Sequence, residues 1–251
     1  MVKIIMNGCN GHMGQVISGI VAADQDAQIV AGIDVVDQGK NAYPVFKSLA
    51  ECDVDADVII DFSSPKAFDA MMDYCVEKQV PVVVCTTGLT QEQIDRISED
   101  SKKVAVLRSA NMSLGINLLL KLLKDATPVL ASAGYDIEIV EQHHNLKKDA
   151  PSGTALALAD SINEAMDNAY HYKYDRSQTY TPREKSEIGI SSVRGGTIVG
   201  IHDVIFAGTD EVIEFQHTAY SKAVFGKGAV QAAKFLAGKP AGFYDMSDVI
   251  G

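Results

Sequence analysis

The chain has 251 residues, 47% hydrophobic and 22% charged, which is the make-up of a globular protein with one large core or two modest ones. Its net charge of −11 excludes a nucleic-acid partner, because phosphate binding needs a basic face. No apolar run is long enough to span a bilayer, and residues 1–6 (MVKIIM) enter a strand at once where a signal would stand, so a cytoplasmic protein with no membrane association is expected.

Residues 2–6 read as a buried strand closed by Asn7-Gly8. Glycines follow at Gly8, Gly11 and Gly14, then an amphipathic helix over 13–23 and a strand over 28–34 ending on Asp34. Strand, glycine turn, helix and a strand closing on an acid form the dinucleotide-binding βαβ pattern. The glycines let backbone approach a pyrophosphate, and Asp34 can accept hydrogen bonds from a ribose diol. The spacing is G-x-x-G-x-x-G rather than G-x-G-x-x-G, so a glycine-rich turn without a ligand is the competing reading. Val35, Val36 and Asp37 follow Asp34, and Lys40 is the nearest cation, so NADH is expected to serve at least as well as NADPH.

The alternation continues with a strand over 57–62, a helix over 65–78, a strand over 80–85, a helix over 91–102 and a strand over 104–107. Near-continuous Val/Ile runs between helices predict a parallel sheet covered on both faces. Ligands of such sheets sit outside the carboxyl ends of the strands. One crevice is therefore expected from the Gly8–Gly14 turn, Asp34, Phe62-Ser63, Cys85-Thr86-Thr87-Gly88 and Ser109-Ala110-Asn111-Met112, with Asn10, His12 and Met13 in the first turn. Each of these is also ordinary turn chemistry; their shared position is what favours a cofactor. Cys9, Cys52, Cys75 and Cys85 form no C-x-x-C pair and read as reduced thiols rather than a disulfide frame or zinc site.

A Leu-rich helix over 114–131, disturbed late by Pro128, precedes a half-buried strand over 135–141 with Ile137 and Ile139 on one face. His143, His144, Lys147 and Lys148 then fall in a strand-to-helix loop, before a helix over 154–166 with Ser152 as its N-cap. Imidazoles and ammonium groups beside the bare N–H groups of a helix start suit an anion, and two lysines and two histidines in six residues stand out on an acidic chain. The competing reading is a solvated turn with one buried histidine. Residues 167–187 read as a surface excursion or lid. Strand-like runs over 188–194, 197–206 and 211–220, split by Gly195-Gly196 and Gly208-Thr209-Asp210, predict an antiparallel meander. A helix over 223–238 and an apolar end at 249–250 are placed back on the first domain. The predicted class is α/β: a Rossmann-type parallel-sheet dinucleotide-binding domain (1–113 and 223–251) plus a mixed α+β substrate-binding and oligomerisation domain with an open sheet (114–222).

The run E-x-H-H-x-x-K-x-D-A-P-S-G-T-A, met by Glu141, His143, His144, Lys147, Asp149, Ala150, Pro151, Ser152, Gly153, Thr154 and Ala155, closely resembles the signature of the dihydrodipicolinate reductase family. The G-x-x-G-x-M-G turn, the Thr-Thr-Gly strand end, the Ser-Ala-Asn-Met-Ser segment and the R-G-G-x-x-G-x-H run from Arg194 to His202 extend the resemblance over the whole chain. The resemblance implies a homotetramer built through the second domain's sheet. It implies hydride transfer from NADH or NADPH to a cyclic dicarboxylate in lysine and diaminopimelate biosynthesis. It puts His143 and Lys147 on the catalytic positions, and His144, Lys147, Ser152, Gly153 and Thr154 on the substrate carboxylate. The cofactor residues it implies are those of the strand-end crevice. His12 stands where the family usually has arginine and Val35 where NADPH-preferring members place one, which weakens an expectation of NADPH preference. With cofactor and substrate on different domains, closure about hinges near Ser113-Leu114 and near Lys222 is expected. Two rival readings are a non-catalytic NAD(P)H-sensing regulator and a metal hydrolase using Glu141, His143 and His144; adjacent histidines are poor ligand spacing, and no metal site is assigned.

Overall fold

In a computed structural model, which describes residues 1–177 and 180–251, the chain divides into two compact units, Met1–Leu114 with Ala223–Gly251 and Gly115–Lys222. The strands are β1 (Val2–Asn7), β2 (Ala27–Ile33), β3 (Val45–Phe46), β4 (Val58–Asp61), β5 (Val82–Val84), β6 (Ala105–Arg108), β7 (Asp136–His143), β8 (His171–Lys173), β9 (Glu187–Arg194), β10 (Gly200–Ala207), β11 (Val212–Ala219) and β12 (Gly242–Tyr244). The helices are α1 (His12–Ala22), α2 (Pro65–Lys78), α3 (Gln91–Asp100), α4 (Leu114–Ser132), α5 (Gly153–Glu164), α6 (Ala223–Leu236) and α7 (Met246–Ile250).

In the first unit a sheet of order β12-β6-β5-β4-β1-β2-β3 is parallel throughout. Its strands are apolar on both faces because both faces are covered. Ile4, Met6, Val58 and Ile60 pack in one core with Ile17 of α1 and Ala229 and Ala233 of α6. Ile5, Ile59 and Val82 pack in the other with Phe68 and Met72 of α2 and Ile97 of α3. Local chemistry starts the covering helices: Pro65 opens α2, and Thr90 and Gln93 form a reciprocal capping box on α3. Two strands of this unit went unpredicted. β3 is only two residues long, and β12 adds a seventh strand beside β6.

The second unit is a mixed sheet of order β11-β10-β7-β9-β8. Rows Ile137, Ile139, Ile188, Ile190, Val204 and Phe206 bury one face under Leu119 and Leu123 of α4 and Leu158 and Ile162 of α5. Among the described residues the other face carries no helix of this unit, as an antiparallel or mixed sheet permits.

Three expectations for this unit are corrected. The three late strands are not a meander: only β10 and β11 form an antiparallel hairpin, and β9 runs parallel to β7, which separates it from β10. Crossing β7 takes two strand spacings, roughly 9.6 Å, which a two-residue turn cannot span. Residues 195–199 span it, seated on the end of β7 by Gly195 N–H to the His143 carbonyl (2.9 Å) and Asn145 N–H to the Gly196 carbonyl (3.2 Å). α4 runs through Pro128 to Ser132; the proline removes a single backbone donor, and Thr127 Oγ1 donates to the Leu123 carbonyl at 2.6 Å one residue before it. The excursion over 167–187 contains β8, paired parallel to β9, so it is not wholly a loop; the part of it at 178–179 lies outside the described residues. Finally, His143 is not in the loop but is the last, buried residue of β7. The inward alternation of Ile137 and Ile139 runs on through Glu141 and His143.

A Cβ at Gly228 of α6 would overlap the Met112 carbonyl oxygen, so helix and backbone meet there without a side chain between them. Gly228→Ala should destabilise the protein by about 1–3 kcal/mol through overpacking, read as a lower urea midpoint; an unchanged midpoint would contradict this contact.

Candidate active site

At the carboxyl end of β7 the inward alternation places two polar side chains where apolar ones would be expected. Glu141 is fully buried. A lone buried carboxylate costs several kcal/mol, so it must be compensated. Arg194, the last residue of β9, donates from both terminal nitrogens to its two oxygens, each at 2.7 Å. The Ser152 N–H at the start of α5 donates to Oε1 at 3.1 Å. His143 Nδ1 lies 2.5 Å from Oε2. Burial would push this carboxyl up, but the hydrogen bonds from Arg194, Ser192 and His143 outweigh it and hold it at about 2. An ionised carboxylate only accepts hydrogen bonds, so His143 carries its proton on Nδ1 and presents an unprotonated Nε2. Burial holds His143 below the ordinary imidazole value against the upward pull of Glu141, with Lys147 and Arg194 adding to the lowering.

His202 of β10 is register partner to Glu141, and its ring stands edge-on to His143 at 5.1 Å between centroids. Its Nε2 is 3.1 Å from Ser152 Oγ. Burial, then the neighbouring His143, pushes its pKa down to about 4. Gly200, opposite His143 across the β7–β10 pairing, leaves the ring room: a Cβ there would stand 3.2 Å from His143 Nε2.

The loop over 144–151 is fixed by these partners. Arg194 also donates to the Asp149 carbonyl at 2.6 Å, and Lys147 N–H to the His144 carbonyl at 3.1 Å. His144 and Lys147 are half-buried, while Lys148 is exposed. Lys147 Nζ pairs with the exposed Asp149 carboxylate at 2.9 Å. Such an exposed pair contributes about 0–1 kcal/mol, little enough for an incoming carboxylate to displace. Ser152 caps α5 by accepting from Ala155 N–H at 3.1 Å. Its N–H and hydroxyl are thus engaged inside the protein, whereas Gly153 is exposed and Thr154 half-buried at the same helix start.

In the first unit, Gly8 has φ +84°, and a Cβ there would lie 2.5 Å from the Phe62 carbonyl oxygen; only glycine fits. Gly11 is the N-cap of α1 and offers no side-chain cap, so the helix start keeps bare N–H groups, as a phosphate site requires. Asp34 accepts from Asn10 N–H and Val35 N–H, both at 2.9 Å, leaving lone pairs over for a diol. Asn10 further bonds the Val36 carbonyl and Asn41. Gly14 is buried against the turn, Met13 is half-buried and His12 is exposed. Beneath this turn Asp61 accepts from Asn7 Nδ2 at 2.9 Å and from the Ser63 hydroxyl at 2.6 Å, and burial pushes its carboxyl up. Thr86 is buried, Thr87, Gly88 and Ala110 are exposed, and Ser109 is half-buried. Asn111 accepts from Ser113 N–H at 2.8 Å. Phe62 and Cys85 pack partly against the core and Met112 lies within it, so these three offer mainly backbone to a ligand. The uncapped helix start, the glycine turn and the available carboxylate together fit a dinucleotide.

Sequence reasoning assigned no role to Arg194 or His202 and used Glu141 only as a motif position or a metal ligand. The alternation from Ile137 pointed to Glu141 as buried; what compensates it depends on strand neighbours. Among the described residues no cluster of three His, Cys, Asp or Glu side chains has metal-binding geometry.

The chain matches the family description "dihydrodipicolinate reductase, N-terminus" over residues 2–112 and "dihydrodipicolinate reductase, C-terminus" over residues 115–250. It is 50% identical over 250 residues to the 4-hydroxy-tetrahydrodipicolinate reductase of Clostridium novyi (strain NT), covering 100% of this chain and 98% of that one. It is 48% identical over 254 residues to the enzyme of that name from Caldanaerobacter subterraneus subsp. tengcongensis, again covering 100% and 98%. Among solved structures it resembles dipicolinate-bound dihydrodipicolinate reductase from Paenisporosarcina sp. TG-14, with a TM-score of 0.81 and 25% identity over 100% of both chains.

The buried ionisable groups predict how stability depends on pH. Unfolded, Glu141 binds its proton near 4.5 and, folded, at about 2, so the unfolded state holds more protons in that window and stability is lost as pH falls through it. For His202 the unfolded imidazole protonates near 6.5 and the folded one at about 4, which gives the same sign at higher pH. Denaturant midpoints should therefore decline from pH 7 to pH 4, with His202 contributing roughly 3 kcal/mol at most. His202→Gln should flatten that decline; an equal slope in the variant would remove His202 as its source.

Proposed function

The chain belongs to the dihydrodipicolinate reductase family, and from that premise we propose how its residues divide the work. Its reaction is the NAD(P)H-dependent reduction of 4-hydroxy-tetrahydrodipicolinate to tetrahydrodipicolinate in lysine and diaminopimelate biosynthesis. The product lacks the 4-hydroxyl, so one hydride and one proton enter and one water leaves. NAD(P)H supplies the hydride. The glycine turn from Gly8 to Gly14 and the α1 start hold its pyrophosphate, and Asp34 takes the adenosine ribose, with the strand ends at Phe62, Cys85–Gly88 and Ser109–Met112 as the remaining wall.

In the second unit Lys147, His144 and the first N–H groups of α5 at Gly153 and Thr154 hold the substrate carboxylates. Ser152 serves them indirectly, by capping the helix and tying it to Glu141. His143 is the proton donor in its imidazolium form: with Nδ1–H held by Glu141, Nε2 takes a proton from solvent, and that Nε2–H bond breaks as the C–H bond forms. Lys147 anchors the negative charge beside it. The observation that carries this reading is the Glu141–His143 pair, which leaves one imidazole nitrogen of known identity for the reaction. We assign NADH as a cofactor at least as good as NADPH, because Asp34 faces the adenosine side and exposed Val35 and Val36 follow it. The open sheet face, with Val140, Val193, Ile201, Ile205 and Val212, supports a homotetramer, whose mass by light scattering should be about four times 26.9 kDa; we place it in the cytoplasm.

The test is NADH oxidation with substrate formed in situ from pyruvate and aspartate semialdehyde. The chain should consume NADH, and His143→Ala and Lys147→Ala should each lower kcat by about 10²-fold or more while leaving NADH affinity nearly unchanged. Loss of NADH affinity in step with kcat would overturn these roles. Asp34→Gly should move the NADPH-to-NADH ratio of kcat/KM upward by about tenfold, the equivalent of ~1.4 kcal/mol; an unmoved ratio would remove Asp34 as the selector.

A further inference from the structure

Three elements meet at one carboxylate. Glu141 stands on β7, receives Arg194 from β9 and Ser152 N–H from the start of α5, and bonds the ring of His143 two residues along its own strand. The charged and titratable groups around the His143 ring are Glu141, Arg194, His202 of β10 and Lys147 of the loop. Only one of these is an anion. Removing the negative charge should therefore make the imidazolium harder to form, and removing the guanidinium should make it easier. A residue whose role is only to pack would move neither.

We propose that Glu141 and Arg194 are positioning residues for the reduction: Glu141 locks the His143 proton on Nδ1 so that Nε2 alone exchanges a proton with substrate, and Arg194 holds Glu141 in line and sets how strongly it supports the imidazolium. The pair is a counterpart of the carboxylate that orients a catalytic histidine elsewhere, with the addition that its second oxygen also holds the helix start that receives the substrate. A shift of the carboxylate would displace donor and anion site together. The inference rests on His143 as the proton donor, and its test separates the two.

The test is the pH dependence of kcat for wild type, Glu141→Gln, Arg194→Gln and His143→Ala. A proton donor must be protonated in the complex, so kcat falls on the alkaline side as His143 loses its proton. Glu141→Gln should lower kcat by about 10–100-fold and move the alkaline limb down by about 1 pH unit. Arg194→Gln should move the same limb upward. A kcat reduced by one factor at every pH, with the limb unmoved in both variants, would overturn the positioning role. If His143→Ala keeps the limb and most of kcat, the underlying donor assignment fails instead. Should Arg194→Gln not fold, the imidazole ¹⁵N shifts of Glu141→Gln decide. Arg194 donates to both oxygens but the Ser152 N–H only to Oε1, so the amide NH₂ takes the Oε2 side, towards His143, and the ring proton should leave Nδ1 for Nε2; a ring that keeps Nδ1–H would refute the lock.

Discussion

The second unit depends on a single buried charge and its compensation. Glu141 sits in the inward-facing row of β7, where a carboxylate without partners would cost more than the flanking isoleucines Ile137 and Ile139 return. The bidentate Arg194, the Ser152 N–H and the His143 ring offset that cost between them. Each partner belongs to a different part of the sequence, so the carboxylate also dictates geometry: the end of β9, the start of α5 and the tip of β7 must converge on it. The loop with His144 and Lys147 hangs between two of those fixed points, which gives its cations defined positions although part of the loop is exposed.

The first unit solves a different problem by removing side chains. Gly8 brings backbone against backbone at Phe62, and Gly228 does the same at Met112. The first contact makes the turn that leads into an uncapped helix, and the second brings α6, which comes from the far end of the chain, onto the segment that follows β6. Two cores on opposite faces of the parallel sheet make this framework rigid. The strand ends are left to irregular backbone, where bonds such as Asn10 N–H to Asp34 order the turn without filling it. Charge follows the same division, with the Asp34 carboxylate at the glycine turn in one unit and the His144 and Lys147 cluster beside the α5 start in the other.

Much of this was legible in the sequence, because the signals are local. A glycine turn between an apolar strand and a helix, an acid at the end of the next strand, and Ser152 ahead of an Ala/Leu-rich helix each reflect the conformational needs of a few neighbouring residues. The alternation of Val/Ile runs with helices follows from covering both sheet faces, and the break in it after residue 187 marked a change of architecture. The family signature placed His143 and Lys147 within one short stretch.

What only the tertiary structure decided is pairing across distance. That β9 lies beside β7 rather than β10 depends on which apolar faces match and on a five-residue crossover, and the turn residues Gly195-Gly196 look the same in either arrangement. The order of strands in turn brings Arg194 to Glu141 over 53 residues and His202 to Ser152 over 50. Periodicity could say that Glu141 and His143 turn inward. It could not say what they meet there, because a side chain's partners are set by its neighbours in the sheet and not by its neighbours along the chain.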